Sequence, residues 1–97
     1  GDAALDLSHQ SLSGPSGSCT LSKRELQLLE ALFRSPGQTL PRPQLFARVW
    51  GNDAGVEDGN LDSYIHFLRR RLQSVGSATA IKTVHSVGYR LEGGASC

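Results

Sequence analysis

Two stretches near the C-terminus decide the fold. The first is Leu61-Asp62-Ser63-Tyr64-Ile65-His66-Phe67-Leu68-Arg69-Arg70-Arg71-Leu72. After a small polar break comes Ile81-Lys82-Thr83-Val84-His85-Ser86-Val87-Gly88-Tyr89-Arg90-Leu91. At about 100° per residue, Leu61, Ile65, Leu68 and Leu72 fall within about 60° of one another, which predicts a helix with one apolar stripe over 60–74. Ser63, His66, Phe67 and Arg70 lie on the opposite side. Asp62 and Arg69 flank one edge of the stripe, and Tyr64 and Arg71 flank the other. The second stretch is rich in β-branched and aromatic residues around His85-Ser86 and Gly88, and predicts a β-hairpin over 81–91.

Upstream, 51–59 carries Asp53, Glu57, Asp58 and three glycines, and is expected to be an acidic loop. Asp58 or Asn60 is the expected cap of the following helix. A helix over 42–50 is signalled by the pairs Leu45/Val49 and Phe46/Trp50. Pro43 is tolerated there because the first turn needs no amide hydrogen. Ser22-Lys23-Arg24-Glu25 has the form of a capping box, with Leu21 and Leu26 at the two staple positions. Leu26, Leu29, Leu32 and Phe33 continue that helix over 22–35, until Ser35-Pro36-Gly37 stops it. Residues 1–21 alternate apolar with small polar residues, including Leu5, Leu7 and Leu12. With Ser13-Gly14-Pro15-Ser16-Gly17 between them, they predict short antiparallel strands. The order is strands, three helices, hairpin: an α+β class, expected as a single domain over 1–97.

Composition narrows the function. The net charge is +1 over 97 residues. From Asn60 onward five basic residues face two acidic ones, whereas before Asn60 five face seven. Positive potential therefore collects in the C-terminal half, where a polyanion would dock. No apolar run is long enough to cross a membrane, and the start has no features of a signal peptide. The absence of Met is what a piece of a longer protein would show. Cys19 and Cys97 are too far apart in sequence to suggest a framework and are expected as free thiols in a reducing cytoplasm. His9, Cys19, His66, His85 and Cys97 have no metal-ligand spacing, and no triad or phosphate loop is visible. We therefore expect no cofactor, no metal and no catalytic residue.

Three consecutive arginines point about 100° apart, so Arg69, Arg70 and Arg71 cannot enter one groove together. Arg70 faces away from the stripe. Arg69 and Arg71 are placed either for phosphates or for structural ion pairs. A large aromatic opposite the core should touch something. Phe67 is placed to meet a thymine methyl in a major groove, or else to pack on the hairpin or on a neighbouring protomer. His66 reads equally as a phosphate or base contact and as a polar surface residue.

Together these two stretches, with Leu21-Ser22-Lys23-Arg24-Glu25, Leu28-Leu29, Pro36-Gly37, Arg42, Leu45 and Val49-Trp50-Gly51, resemble the effector domain of OmpR/PhoB-type response regulators over about 5–91. The resemblance implies a winged helix-turn-helix: a four-stranded N-terminal sheet, three helices and a hairpin wing. It implies sequence-specific binding to double-stranded promoter DNA, the third helix in the major groove and the wing in the adjacent minor groove. It also implies dimers on direct repeats and a preceding receiver domain, absent from this chain. None of Asp53, Asp58 or Asp62 is then the phosphoacceptor. Loop 51–59 matches a segment that contacts RNA polymerase. The implied DNA-facing set is Ser63, Tyr64, His66, Phe67, Arg69, Arg70 and Arg71 on the helix. Thr83, His85, Gly88 and Tyr89 belong to it on the wing, and Arg42 and Trp50 at the phosphate backbone. Trp50 and Tyr89 also read as core residues. Two positions depart from the family pattern. Phe67 stands where a basic residue is common, and His85 stands where the wing carries an arginine. The competing reading is a winged-helix module used only for protein contacts.

Overall fold

The computed structural model describes residues 3–51 and 59–92. The first three strands, β1 (Ala4–Asp6), β2 (Ser11–Gly14) and β3 (Gly17–Thr20), form an antiparallel meander. Registers Leu5↔Leu12 and Leu12↔Cys19 set Leu12 in the middle strand, fully buried. Leu7 does not join a strand, contrary to the alternation Leu5/Leu7, and is half exposed. The cause is local: the Asp6 carboxylate accepts from the His9 amide at 3.1 Å and pairs with His9 Nδ1 at 2.9 Å. The chain therefore folds into a turn after Asp6. The His9 hydrogen bonds also hold the Asp6 carboxyl below its ordinary range.

Helix α1 (Lys23–Arg34) starts at Ser22, whose hydroxyl accepts from the Glu25 amide at 3.3 Å. The Glu25 carboxylate in turn accepts from the Ser22 amide at 2.9 Å. Leu26, Leu28, Leu29, Ala31 and Leu32 are all buried. That is more than one stripe, because other elements cover α1 on several sides. Past the helix, Gly37 adopts φ 79°, a left-handed conformation that glycine reaches without a Cβ penalty. Its amide then donates to the Leu91 carbonyl at 2.8 Å.

This turn delivers β4 (Thr39–Pro41), which leads into α2 (Arg42–Trp50). After α3 (Gly59–Ser74), strands β5 (Ala80–Val84) and β6 (Gly88–Glu92) form the hairpin. Strand β4 pairs with the outer side of β6, giving a second sheet in the order β4-β6-β5. Here the four-stranded N-terminal sheet is corrected. Among the described residues that sheet has three strands, and the fourth short strand belongs to the hairpin sheet. Pro41 is tolerated because it ends an edge strand.

One core joins these elements. Leu29, Leu32, Leu45, Leu61, Ile65 and Leu68, from all three helices, belong to one buried cluster. The N-terminal meander closes on the end of α3, where the Ser16 amide donates to the Val75 carbonyl at 2.8 Å. A Cβ on Gly14 would stand 2.6 Å from that same carbonyl oxygen, so glycine there permits the contact. The outcome is an α+β fold in which the outer side of α3 and the tip of the hairpin are both exposed.

Candidate nucleic-acid interface

Helix α3 buries Leu61, Ile65, Leu68 and Leu72, as its period requires. Both edges of that stripe are anchored. On the hairpin side, Arg69 donates to the Ile81 carbonyl oxygen from Nε at 3.0 Å and from Nη2 at 2.8 Å. It also donates to Thr83 Oγ1 at 2.8 Å. Its guanidinium lies 5.9 Å from the Tyr89 ring centroid. Seven residues earlier on the same edge, Asp62 accepts from the Tyr89 hydroxyl and from Arg42 Nη1. One carboxylate thus links α2, α3 and β6. Burial pushes the Asp62 carboxyl up, but the hydrogen bonds from Tyr89 and Arg42, with the Arg42 charge, outweigh it and hold it below the ordinary value. Burial and then Asp62 push the Tyr89 phenol above its usual 10.0, and Arg42 and Arg69 offset only part of this.

The other edge is anchored to α1 and α2. Arg71 Nε lies 3.5 Å from the Glu25 carboxylate, which is only 4% exposed. Tyr64 meets Trp50 edge to face at 5.4 Å, and Trp50 stacks on Phe46 at 5.0 Å. Arg24 lies 5.6 Å over the Trp50 ring and donates to the Val49 carbonyl at 3.1 Å, satisfying the end of α2.

With both edges anchored, Ser63, His66, Phe67 and Arg70 are exposed on the outer face. Arg70 makes no ion pair among the described residues. Phe67 touches Tyr64 at 5.8 Å and His66 at 6.2 Å between ring centroids. It stands on the α1 side of the helix, so packing on the hairpin is not its role. An open cleft of about 550 Å³ runs beside it, lined by Ser22, Glu25, Tyr64, Phe67, Arg70, Arg71 and Ser74.

The hairpin tip is the three-residue loop His85–Val87, closed by the Val87 amide on the Val84 carbonyl at 3.0 Å. His85 is exposed there, and Thr83 is exposed beside Arg69. Gly88 is buried, and a Cβ on it would run into the Leu40 carbonyl oxygen of β4. Its role in the structure is close packing. Trp50 and Tyr89 are 7% and 6% exposed, so each offers DNA at most a small part of its surface.

Of the residues named from sequence, Ser63, His66, Phe67 and Arg70 come together on one face, with Tyr64 and Arg71 at its border. Thr83 and His85 form a second exposed group on the hairpin. Arg42, Arg69, Trp50, Gly88 and Tyr89 hold the two groups in place. Sequence reasoning missed Asp62 as the link. The available signal was its place seven residues before Arg69, on the same edge. Residues 52–58, and with them most of the loop expected to meet RNA polymerase and the expected Asp58 cap, lie outside the described residues. Among the described residues no group of His, Cys, Asp or Glu is arranged to hold a metal ion, and no helix is long and apolar enough to cross a membrane.

An anchored helix with an exposed basic and aromatic face, beside a hairpin, is the geometry of a winged-helix DNA reader. Residues 16–91 match the family model described as "Transcriptional regulatory protein, C terminal". The chain belongs to this family. It is an OmpR/PhoB-type domain of the DNA-binding, transcription-regulating class. It is 36% identical over 92 residues to the phosphate regulon transcriptional regulatory protein PhoB of Rhizobium meliloti, covering 95% of this chain and 40% of that protein. It is 32% identical over 92 residues to the heme response regulator HssR of Staphylococcus saprophyticus, covering 95% of this chain and 41% of the relative. The chain therefore spans about two fifths of the length of these curated relatives. The DNA-binding domain of Klebsiella pneumoniae RstA, solved in complex with the RstA box, superposes with a TM-score of 0.75 at 25% identity. That match covers 95% of this chain and 92% of the other.

Proposed function

We propose that residues 1–97 act as one winged-helix unit that binds double-stranded promoter DNA sequence-specifically, as the output domain of a two-component response regulator. Helix α3 enters the major groove with Ser63, His66, Phe67 and Arg70 toward the bases. The hairpin reaches the adjacent minor groove with Thr83 and His85. Arg71 and Tyr64 border the phosphates. The rest of the proposal follows the family: a receiver domain ahead of this segment, dimers on direct repeats, a contact with RNA polymerase through 51–59, a cytoplasmic location and no catalytic step.

The observation that carries this reading is the division of α3. Its edges are held by Asp62 and Arg69 on one side and Tyr64 and Arg71 on the other, which leaves one exposed face rigidly presented. A rigid reading face loses little entropy on docking. The test is a fluorescence-anisotropy titration of the chain with duplex DNA across a salt series. Log affinity should fall with log salt by about 0.9 per phosphate neutralised. Since Arg42, Arg69 and Arg71 already have acidic or carbonyl partners, we expect a shallow slope of about 2 to 4. No binding at low salt would favour the module for protein contacts, a reading that the exposed Phe67 keeps in play.

A further inference from the structure

We infer that Phe67 makes this domain a reader of thymine, by seating its ring against a thymine 5-methyl group at the centre of the contacted bases. The inference rests on the DNA-binding reading proposed above and names the base class that the site selects. Phe67 is 46% exposed, and the outer face of α3 otherwise carries the polar or charged side chains of Ser63, His66 and Arg70. It stands one helical turn after Ser63 and three residues before Arg70, so polar contacts would bracket whatever its ring meets. Its position is set from inside the molecule. Rings of Phe46, Trp50, Tyr64 and Phe67 follow one another at 5.0, 5.4 and 5.8 Å, a chain running from α2 to the surface. A ring held this way gives up little freedom when it docks.

The major-groove edges of the four base pairs carry hydrogen-bonding groups and a single apolar group, the thymine methyl. A phenyl ring satisfies no donor or acceptor, so opposite guanine, adenine or cytosine it would desolvate their groups without return. A second copy of the chain is the other occupant to consider. One ring among polar neighbours is a small apolar island, well short of the patch that a stable dimer buries.

The test begins with selection of binding sites from random duplexes by the wild-type chain. Each thymine of the selected site is then replaced in turn by deoxyuridine, which removes only the methyl group. One position should lose about fourfold in affinity, as expected for one methyl-sized group returned to water. Phe67→Ala should bind the thymine and uracil duplexes equally. If no deoxyuridine weakens wild-type binding to the selected site, the inference is overturned while DNA binding stands. If Phe67→Ala instead dissociates a DNA-free dimer in sedimentation, the ring is a protomer contact and the inference is likewise overturned. Failure to bind any duplex at low salt would overturn the underlying DNA-binding reading, a result distinguishable from both.

Discussion

Arg69 in α3 donates twice to the carbonyl oxygen of Ile81, at 3.0 and 2.8 Å, and so fixes the hairpin to the helix beside it. The first member of an arginine run thus acts inside the protein. The carbonyl it satisfies belongs to β5, which among the described residues is an edge strand of the hairpin sheet. Arg69→Ala should therefore destabilise the DNA-free chain by about 1.5–3 kcal/mol, the usual worth of hydrogen bonds to a charged group. Thermal denaturation would show this as a drop of several degrees. An unchanged melting temperature would return Arg69 to the role of a free phosphate anchor.

Arg70→Ala should show the opposite pattern. Its side chain is exposed and makes no ion pair among the described residues. Affinity for duplex DNA should fall about tenfold, as for loss of one charged contact. Stability should stay within about 0.5 kcal/mol of wild type, as for a surface change. Paired anisotropy and melting measurements on the two variants separate reading from scaffolding.

Asp62 and Tyr89 give the domain a predictable pH profile. The Asp62 carboxyl is held below its ordinary value, so its contribution to stability is complete above the unfolded-chain value near 3.9 and is lost as pH falls through the folded one. The side chain is half exposed, which keeps this contribution below about 1 kcal/mol. The Tyr89 phenol is held above 10.0, so its contribution is complete below that pH and is lost as pH rises further. Denaturant titrations should show a shallower acid limb for Asp62→Asn and a shallower alkaline limb for Tyr89→Phe.

The hairpin loop and its base respond to backbone geometry. Ser86 adopts φ 65°, a conformation that costs an L-residue about 1–2 kcal/mol. Ser86→Gly should relieve part of this and raise the melting temperature. Gly88→Ala should do the reverse. A methyl group there meets the Leu40 carbonyl oxygen, so β4 must part from β6, at a cost of about 1–3 kcal/mol for an overpacked site. Circular dichroism melts of the two variants should move in opposite directions.

Much of this was legible in sequence wherever a period or a cap carried it. The stripe Leu61/Ile65/Leu68/Leu72 is buried, Ser22 and Glu25 cap α1, and Ser63, His66, Phe67 and Arg70 share one face. What sequence left open depended on contacts between distant residues. The same angular position suits Arg69 to a phosphate or to Ile81. Only the pairing of β5 with β6 brings that carbonyl beneath the guanidinium. Strand β4 was invisible because three residues, one of them proline, have no period of their own. Leu7 matched a strand pattern, but the Asp6–His9 turn overrides a two-residue alternation.

If α3 meets duplex DNA through its anchored outer face, as proposed, the backbone of that face should respond when DNA is added. Amide chemical-shift mapping of the isotopically labelled chain, titrated with a selected duplex, tests it most directly. The largest changes are expected along 63–70 and at the hairpin tip around 83–86, with the N-terminal meander 4–20 nearly unchanged. Changes concentrated in that meander, with 63–70 silent, would contradict it.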